Sequence, residues 1–155
     1  MTQRPLTVYA DTSVFGGPFD AEFATASTIF FEQVRLGRFA LVTSGIVEAE
    51  VESAPSHVQR LYDEMSVTAR IVNASDEALE LRDAYLAAGI VTERSADDAL
   101  HVALATVSLC AVIVSWNFRH IVHFRKIPLY NAVNQTRGYP PIAIYSPREV
   151  IDYDG

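Results

Sequence analysis

Cysteine, lysine and tryptophan each occur once in the 155 residues, as Cys110, Lys126 and Trp116. A lone cysteine excludes an intrachain disulfide, and its place in the apolar run Leu109 to Trp116 predicts a buried, reduced thiol, which fits a cytoplasmic setting. Long apolar runs are also missing. No stretch approaches the roughly 18 residues of a membrane span, and Met1 to Pro5 carries no apolar leader, so the chain is expected to be neither exported by that route nor membrane-embedded. Glycine and proline number seven each, scattered without a period, which excludes collagen-like and low-complexity classes. Cations are scarce. Twelve Lys plus Arg against 19 Asp plus Glu leave a net charge of −7 and a pI near 5.0, which excludes broad electrostatic coating of nucleic acid. A local basic groove stays open, and 11 of the 12 cations are arginine, the planar fork that suits carboxylate and phosphate.

What is present is half hydrophobic, and a chain of this length buries roughly 68–70% of its unfolded surface. One acidic domain over residues 1–155 is expected. Leu6 to Ala10 reads as a buried strand, ended by Asp11-Thr12-Ser13 as a turn and by the Gly16-Gly17-Pro18 breaker. Ala21 to Leu36 has helical spacing with Gly37 as its stop, Phe39 to Thr43 is a second strand, and Ser44 caps a helix that lasts until Ala54-Pro55. A helix at Val58 to Met65, a strand at Ala69 to Val72 and a helix at Ser75 to Ala88 closed by Gly89 follow. Ser95 or Asp97 opens the next helix, through about Ser108, and Ala111 to Val114 is a strand apolar on both faces. Asn117 to Gly138 reads as irregular, with a last strand at Ile142 to Tyr145 and a short helix at Pro147 to Ile151. Helices alternating with short apolar strands predict an α/β sandwich around a mainly parallel sheet.

Ligands of such sheets bind beyond the carboxyl ends of the strands. Asp11 stands at one such end, Glu50 on the helix after the second strand, and Asp98 in the first turn of the late helix. Each has a second reading: Asp11 as an Asx turn, Glu50 as a solvated or Arg-paired acid, Asp98 as a helix-terminus charge. Acids converging on one cleft repel unless a divalent cation neutralises them. His101, inside an apolar helix, reads as a hydrogen-bonded core residue. Arg119, His120, His123, Arg125 and Lys126 form the densest basic run and read either as a solvated loop or as a contact for a nucleic-acid backbone. No Gly-rich phosphate loop or nucleophile elbow is present, which excludes nucleotide-dependent phosphotransfer and serine hydrolysis. The order of acids is wrong for a response-regulator phosphoacceptor.

Four segments, Val8-Tyr9-Ala10-Asp11-Thr12-Ser13-Val14, Thr43-Ser44 with Glu50, Asp98-Ala99-Leu100-His101-Val102-Ala103, and Val114-Ser115-Trp116-Asn117-Phe118-Arg119-His120, together resemble the PIN domain nucleases. The likeness is greatest to toxins of bacterial VapBC-type toxin-antitoxin modules. The resemblance implies a PIN-like three-layer α/β/α sandwich, a Mg²⁺ or Mn²⁺ site and metal-dependent hydrolysis of RNA. It also implies a cognate antitoxin and a homodimer, for which the apolar face of Phe23, Phe30 and Phe31 offers surface. Carried over by position, it makes Asp11, Glu50 and Asp98 the metal-binding and catalytic acids, with Thr12 or Ser13 and Ser115 in support. The basic run that directly follows Asn117 supplies Arg119, His120, Arg125 and Lys126 as the candidate RNA contacts. Many PIN domains have Asp at a fourth catalytic position where this chain has Asn117, which removes one charge and weakens a second metal. A catalytically weakened RNA-binding or protein-interaction domain is therefore the alternative.

Overall fold

The structure, a computed structural model, describes residues 4–152; the polar reading of residues 1–3 and the last three positions of the expected domain lie outside the described residues. Five strands, β1 (Leu6–Ala10), β2 (Phe39–Ser44), β3 (Arg70–Val72), β4 (Val112–Val114) and β5 (Ala143–Tyr145), make one sheet in the order β3-β2-β1-β4-β5. Every pairing is parallel, so the mainly parallel sheet expected is wholly so. Around it lie α1 (Thr12–Gly16), α2 (Ala24–Arg35), α3 (Gly45–Val51), α4 (Ser56–Ser66), α5 (Asp76–Ala87), α6 (Ala96–Val107), α7 (Ile127–Thr136) and α8 (Pro147–Val150).

The period of two along the strands sorts side chains between two cores. Val8, Ala10, Leu41, Val112 and Val114 face a core completed by Val14, Phe30, Phe31, Val47 and Leu61. Tyr9, Val42 and Ile113 face another completed by Leu81, Tyr85, Leu104 and Tyr130. Both faces of the sheet are thus covered, which is why its central strands are apolar throughout and why the fold is the three-layer α/β/α sandwich expected. Each large side chain fully buried here contributes roughly 1.5–3 kcal/mol. Ser44 and Ser75 cap α3 and α5 by accepting from the N–H groups of Val47 and Ala78 at 3.3 and 3.2 Å. Gly37 and Gly89, both in the left-handed region (φ 77° and 76°), follow α2 and α5, where a side chain would be strained.

Three expectations need correction. The Asp11-Thr12-Ser13 turn is instead the start of α1, a helix too short for a periodic signal, which holds because Val14 and Phe15 are fully buried. The segment Asn117 to Gly138 is not irregular throughout, since α7 occupies its second half. The surplus apolar face offered as ground for a homodimer is consumed internally: Phe30 and Phe31 are buried, and Phe23 stacks on Trp116 with ring centres 4.2 Å apart. Cys110 is buried as expected, and burial, against a weaker pull from Arg70, pushes its thiol up to about 11. Among the described residues no helix is long and apolar enough to cross a membrane.

Candidate functional site

Ala10 and Val114 are register partners at the carboxyl ends of β1 and β4. Asp11 and Ser115 therefore leave the sheet side by side, on the edge where open parallel sheets form their crevice. Asp11 is 3% exposed. Both of its oxygens are held: Ser13 donates to Oδ1 and Ser115 to Oδ2, each at 2.6 Å. The two hydroxyls in turn accept from the backbone N–H groups of Trp116 and Asn117, both at 2.9 Å. Each serine thus passes a backbone dipole on to the carboxylate, and the rotamer of Asp11 is fixed from both sides. Burial raises the pKa of Asp11, outweighing the charge of His101 and the two serine bonds that favour the ionised form.

Glu50, in the last turn of α3, is joined to α6 by a buried imidazole. His101 Nε2 lies 2.8 Å from Glu50 Oε1, and its Nδ1 lies 2.8 Å from the Tyr9 hydroxyl, which is itself 2.8 Å from Ser44 Oγ. His101 is the buried, hydrogen-bonded residue expected from sequence. Its partners, though, tie it to the acids. Burial lowers the pKa of His101, but the bond to Glu50 and the charges of Asp11, Glu50 and Asp98 together carry it upward. Burial likewise raises the pKa of Glu50 and is overcome by His101, so the net direction is down. The same contacts favour a cationic His101 ring, which offsets part of the repulsion among the acids.

Asp98, half-buried in the first turn of α6, completes this set, and its charge also acts on His120. Asn117 is partly committed elsewhere, because its Oδ1 accepts from the His120 N–H at 2.9 Å and shapes the loop after β4. Thr12 Oγ1 is buried near Glu50, favouring its ionised form while falling short of hydrogen-bond geometry. In the basic run, Arg119, His120 and Lys126 line a common cavity, whereas exposed Arg125 lies outside it. Burial lowers the pKa of His120, and Lys126, Arg119 and His123 add to this against the opposing charge of Asp98. Tyr9 was missed from sequence. The available signal was a phenol in a buried strand, whose O–H must find a partner.

Among the described residues, no three His, Cys, Asp or Glu side chains are arranged to enclose a metal ion. The donor chemistry nevertheless fits a hard divalent cation of the Mg²⁺ type, which takes only one or two protein carboxylates and fills its shell with water and phosphate oxygens. Asp11, Asp98 and the hydroxyl of Thr12 supply oxygens of that kind.

An all-parallel five-stranded sheet with helices on both faces, and Asp11 at the carboxyl end of its central strand, makes a PIN-like three-layer α/β/α fold. A solved structure described as VapBC2 from Rickettsia felis bound to a DNA fragment from their promoter is similar, with a TM-score of 0.57 and 15% identity, over 90% of this chain and 97% of that one. At that identity the likeness is one of fold. No family model and no curated protein matches the sequence.

Proposed function

We propose that the chain is a metal-dependent endoribonuclease, the toxin of a toxin-antitoxin module, acting in the cytoplasm on RNA phosphodiester bonds. The reading is supported by Asp11 held by Ser13 and Ser115 at the carboxyl edge of a PIN-like sheet, beside Glu50 bonded to His101 on the helix whose first turn carries Asp98. When bound by Asp11 and Asp98, Mg²⁺ or Mn²⁺ would neutralise phosphate charge and make a nucleophile of water. The protein's own part is positional and electrostatic. Ser13 and Ser115 hold Asp11 with its raised pKa at a fixed point, where an Oδ atom can take a proton from an attacking water. His101 fixes Glu50 and keeps three acids compatible in one cleft. The cations after Asn117 offer backbone contacts to a polyanion that must approach an acidic edge. A cognate antitoxin and a second copy of the chain are the partners of this reading. The structural neighbour, described as a VapBC complex, supports the antitoxin partner.

The test is cleavage of single-stranded RNA with Mg²⁺ or Mn²⁺ and with chelator, by wild type and by Asp11→Asn and Asp98→Asn. Loss of cleavage in both variants and in chelator is expected; unchanged cleavage in both variants would sink the assignment. The second reading, an RNA-binding or protein-interaction domain without catalysis, draws on Asn117 and on the absence of an enclosing acid cluster among the described residues. Asn117→Asp separates the two readings. Tighter Mn²⁺ binding marks a weakened enzyme, and no binding in either form marks the non-catalytic domain.

A further inference from the structure

A second feature stands beside the acid cluster and is opposite to it in charge. The connection between α5 and α6 and the loop after β4 enclose a cavity of about 440 Å³. Its walls carry Arg94, Arg119 and Lys126 together with Ser95 and His120, and no carboxylate lines it. In a chain of net charge −7, three permanent cations share this one small space. Among the described residues none of the three is in an ion pair. Their arrangement is also built. Ser95 Oγ lies 3.2 Å from His120 Nε2, and Lys126 Nζ lies 3.5 Å from His120 Nδ1, so the imidazole ties the two walls together. Buried Ile90 and Val91 back the cavity. Like charges held together in one cavity repel, and an anion inside it relieves that repulsion.

We propose that this cavity is a phosphate subsite that takes a backbone phosphate of a single-stranded nucleic acid next to the phosphate held at the acid cluster. The choice of nucleic acid rests on the nuclease reading; the anion chemistry does not. Two observations set the register. Ser95, in the cavity wall, is the N-cap of α6, whose first turn carries Asp98, and the His120 N–H donates to Asn117 Oδ1 at 2.9 Å, so the two sites are neighbours. The volume falls within the 300–1,000 Å³ typical of ligand pockets, which is more than a bare anion needs. Arg94 is brought in from a 3-10 turn (Glu93–Ser95) 25 residues before Arg119, so the subsite differs from the linear basic run: it gains Arg94 and loses Arg125.

The experiment uses Asp11→Asn protein in chelator, so that binding is read without cleavage. Affinity for a short single-stranded RNA is followed by fluorescence anisotropy from about 50 to 300 mM salt, with Arg94→Ala and Arg119→Ala added in turn. Each substitution is expected to weaken binding and to make the slope of log K against log salt shallower by about 0.7. Arg119→Lys should keep the slope, and an RNA with uncharged methylphosphonate linkages should be insensitive to all three changes. Unchanged affinity and slope in both alanine variants overturns the subsite. So does a loss seen with a polyglutamate peptide but not with RNA, which would assign the cavity to an acidic protein partner. Failures of the two readings stay apart: a chain that cuts no RNA but shows the slope change keeps the subsite and loses the nuclease, and the reverse result does the opposite.

Discussion

Asp11→Asn should make the protein more stable while removing the proposed RNA cleavage. Moving a carboxylate into a buried site costs several kcal/mol. Two charge-assisted bonds from Ser13 and Ser115 return about 1.5–3 kcal/mol each, and His101 returns more through its charge. The pKa of Asp11 is still raised, so these gains fall short. Asparagine keeps one acceptor for one serine and presents an NH₂ to the other, whose hydroxyl can turn to accept it. We expect a net gain of about 1 kcal/mol, inside the range typical of relieved active-site strain, or about 2–4 °C in Tm for a chain of this size. The pH dependence follows from linkage. With a raised folded pKa the native state binds more protons than the unfolded state, so wild-type stability falls as pH climbs from the ordinary value of 3.8 through the folded value. The advantage of asparagine is therefore absent in acid and complete above that window. Thermal melts by circular dichroism in chelator, from pH 3.5 to 8, measure it. A variant that melts below wild type at pH 8, or by a margin independent of pH, would refute the reasoning.

Glu50→Gln should cost about 1–2 kcal/mol near pH 6, discounted from a fully buried pair because the Glu50 side chain is 39% exposed. His101, raised from 6.5, contributes fully below that value and loses its contribution as pH rises through the folded pKa, while Glu50, lowered from 4.5, contributes above 4.5. Urea denaturation should accordingly show the largest difference between pH 4.5 and 6.5 and a shrinking one toward pH 9; a difference that grows with pH contradicts it. Gly17→Ala should destabilise by about 1–3 kcal/mol through overpacking, because a Cβ there would sit 2.0 Å from Ser27 Oγ and 2.9 Å from Trp116 Nε1. Ser27 accepts the indole N–H at 2.8 Å, and Trp116 is the only tryptophan, so a shift in its emission reports the break; unchanged emission and Tm would show that the contact is slack.

Strands β1, β2 and β4 were legible because both of their faces are apolar, and the ends of α2, α3 and α5 because glycine and serine mark them chemically. Helix α7 was not. Its sequence, Ile-Pro-Leu-Tyr-Asn-Ala-Val-Asn-Gln-Thr, is poor in strong helix formers and buries only Tyr130 and Asn134. What secures it is tertiary: Asn134 Oδ1 accepts from the Tyr85 hydroxyl, and Asn131 Nδ2 donates to the Ile142 carbonyl at 3.0 Å. The site divides the same way. Asp11, Ser115 and Asn117 could be placed from strand ends, whereas the partners of His101 lie 92 and 51 residues away, and no local pattern encodes such a pairing. Gly16-Gly17 was read as a breaker for its backbone freedom, while the structure uses Gly17 for its missing side chain.

The pairing of β1 with β4 sets an order of events during synthesis. Asp11 takes its second hydroxyl from a residue 104 positions later, and the central strand has no neighbour on that side until Val112 to Val114 exist. A ribosome therefore presents the acid at residue 11 long before anything can seat it, and parallel pairings of this separation are slow to close. The acid edge is therefore assembled only once Ser115 has been made, however early Asp11 itself appears.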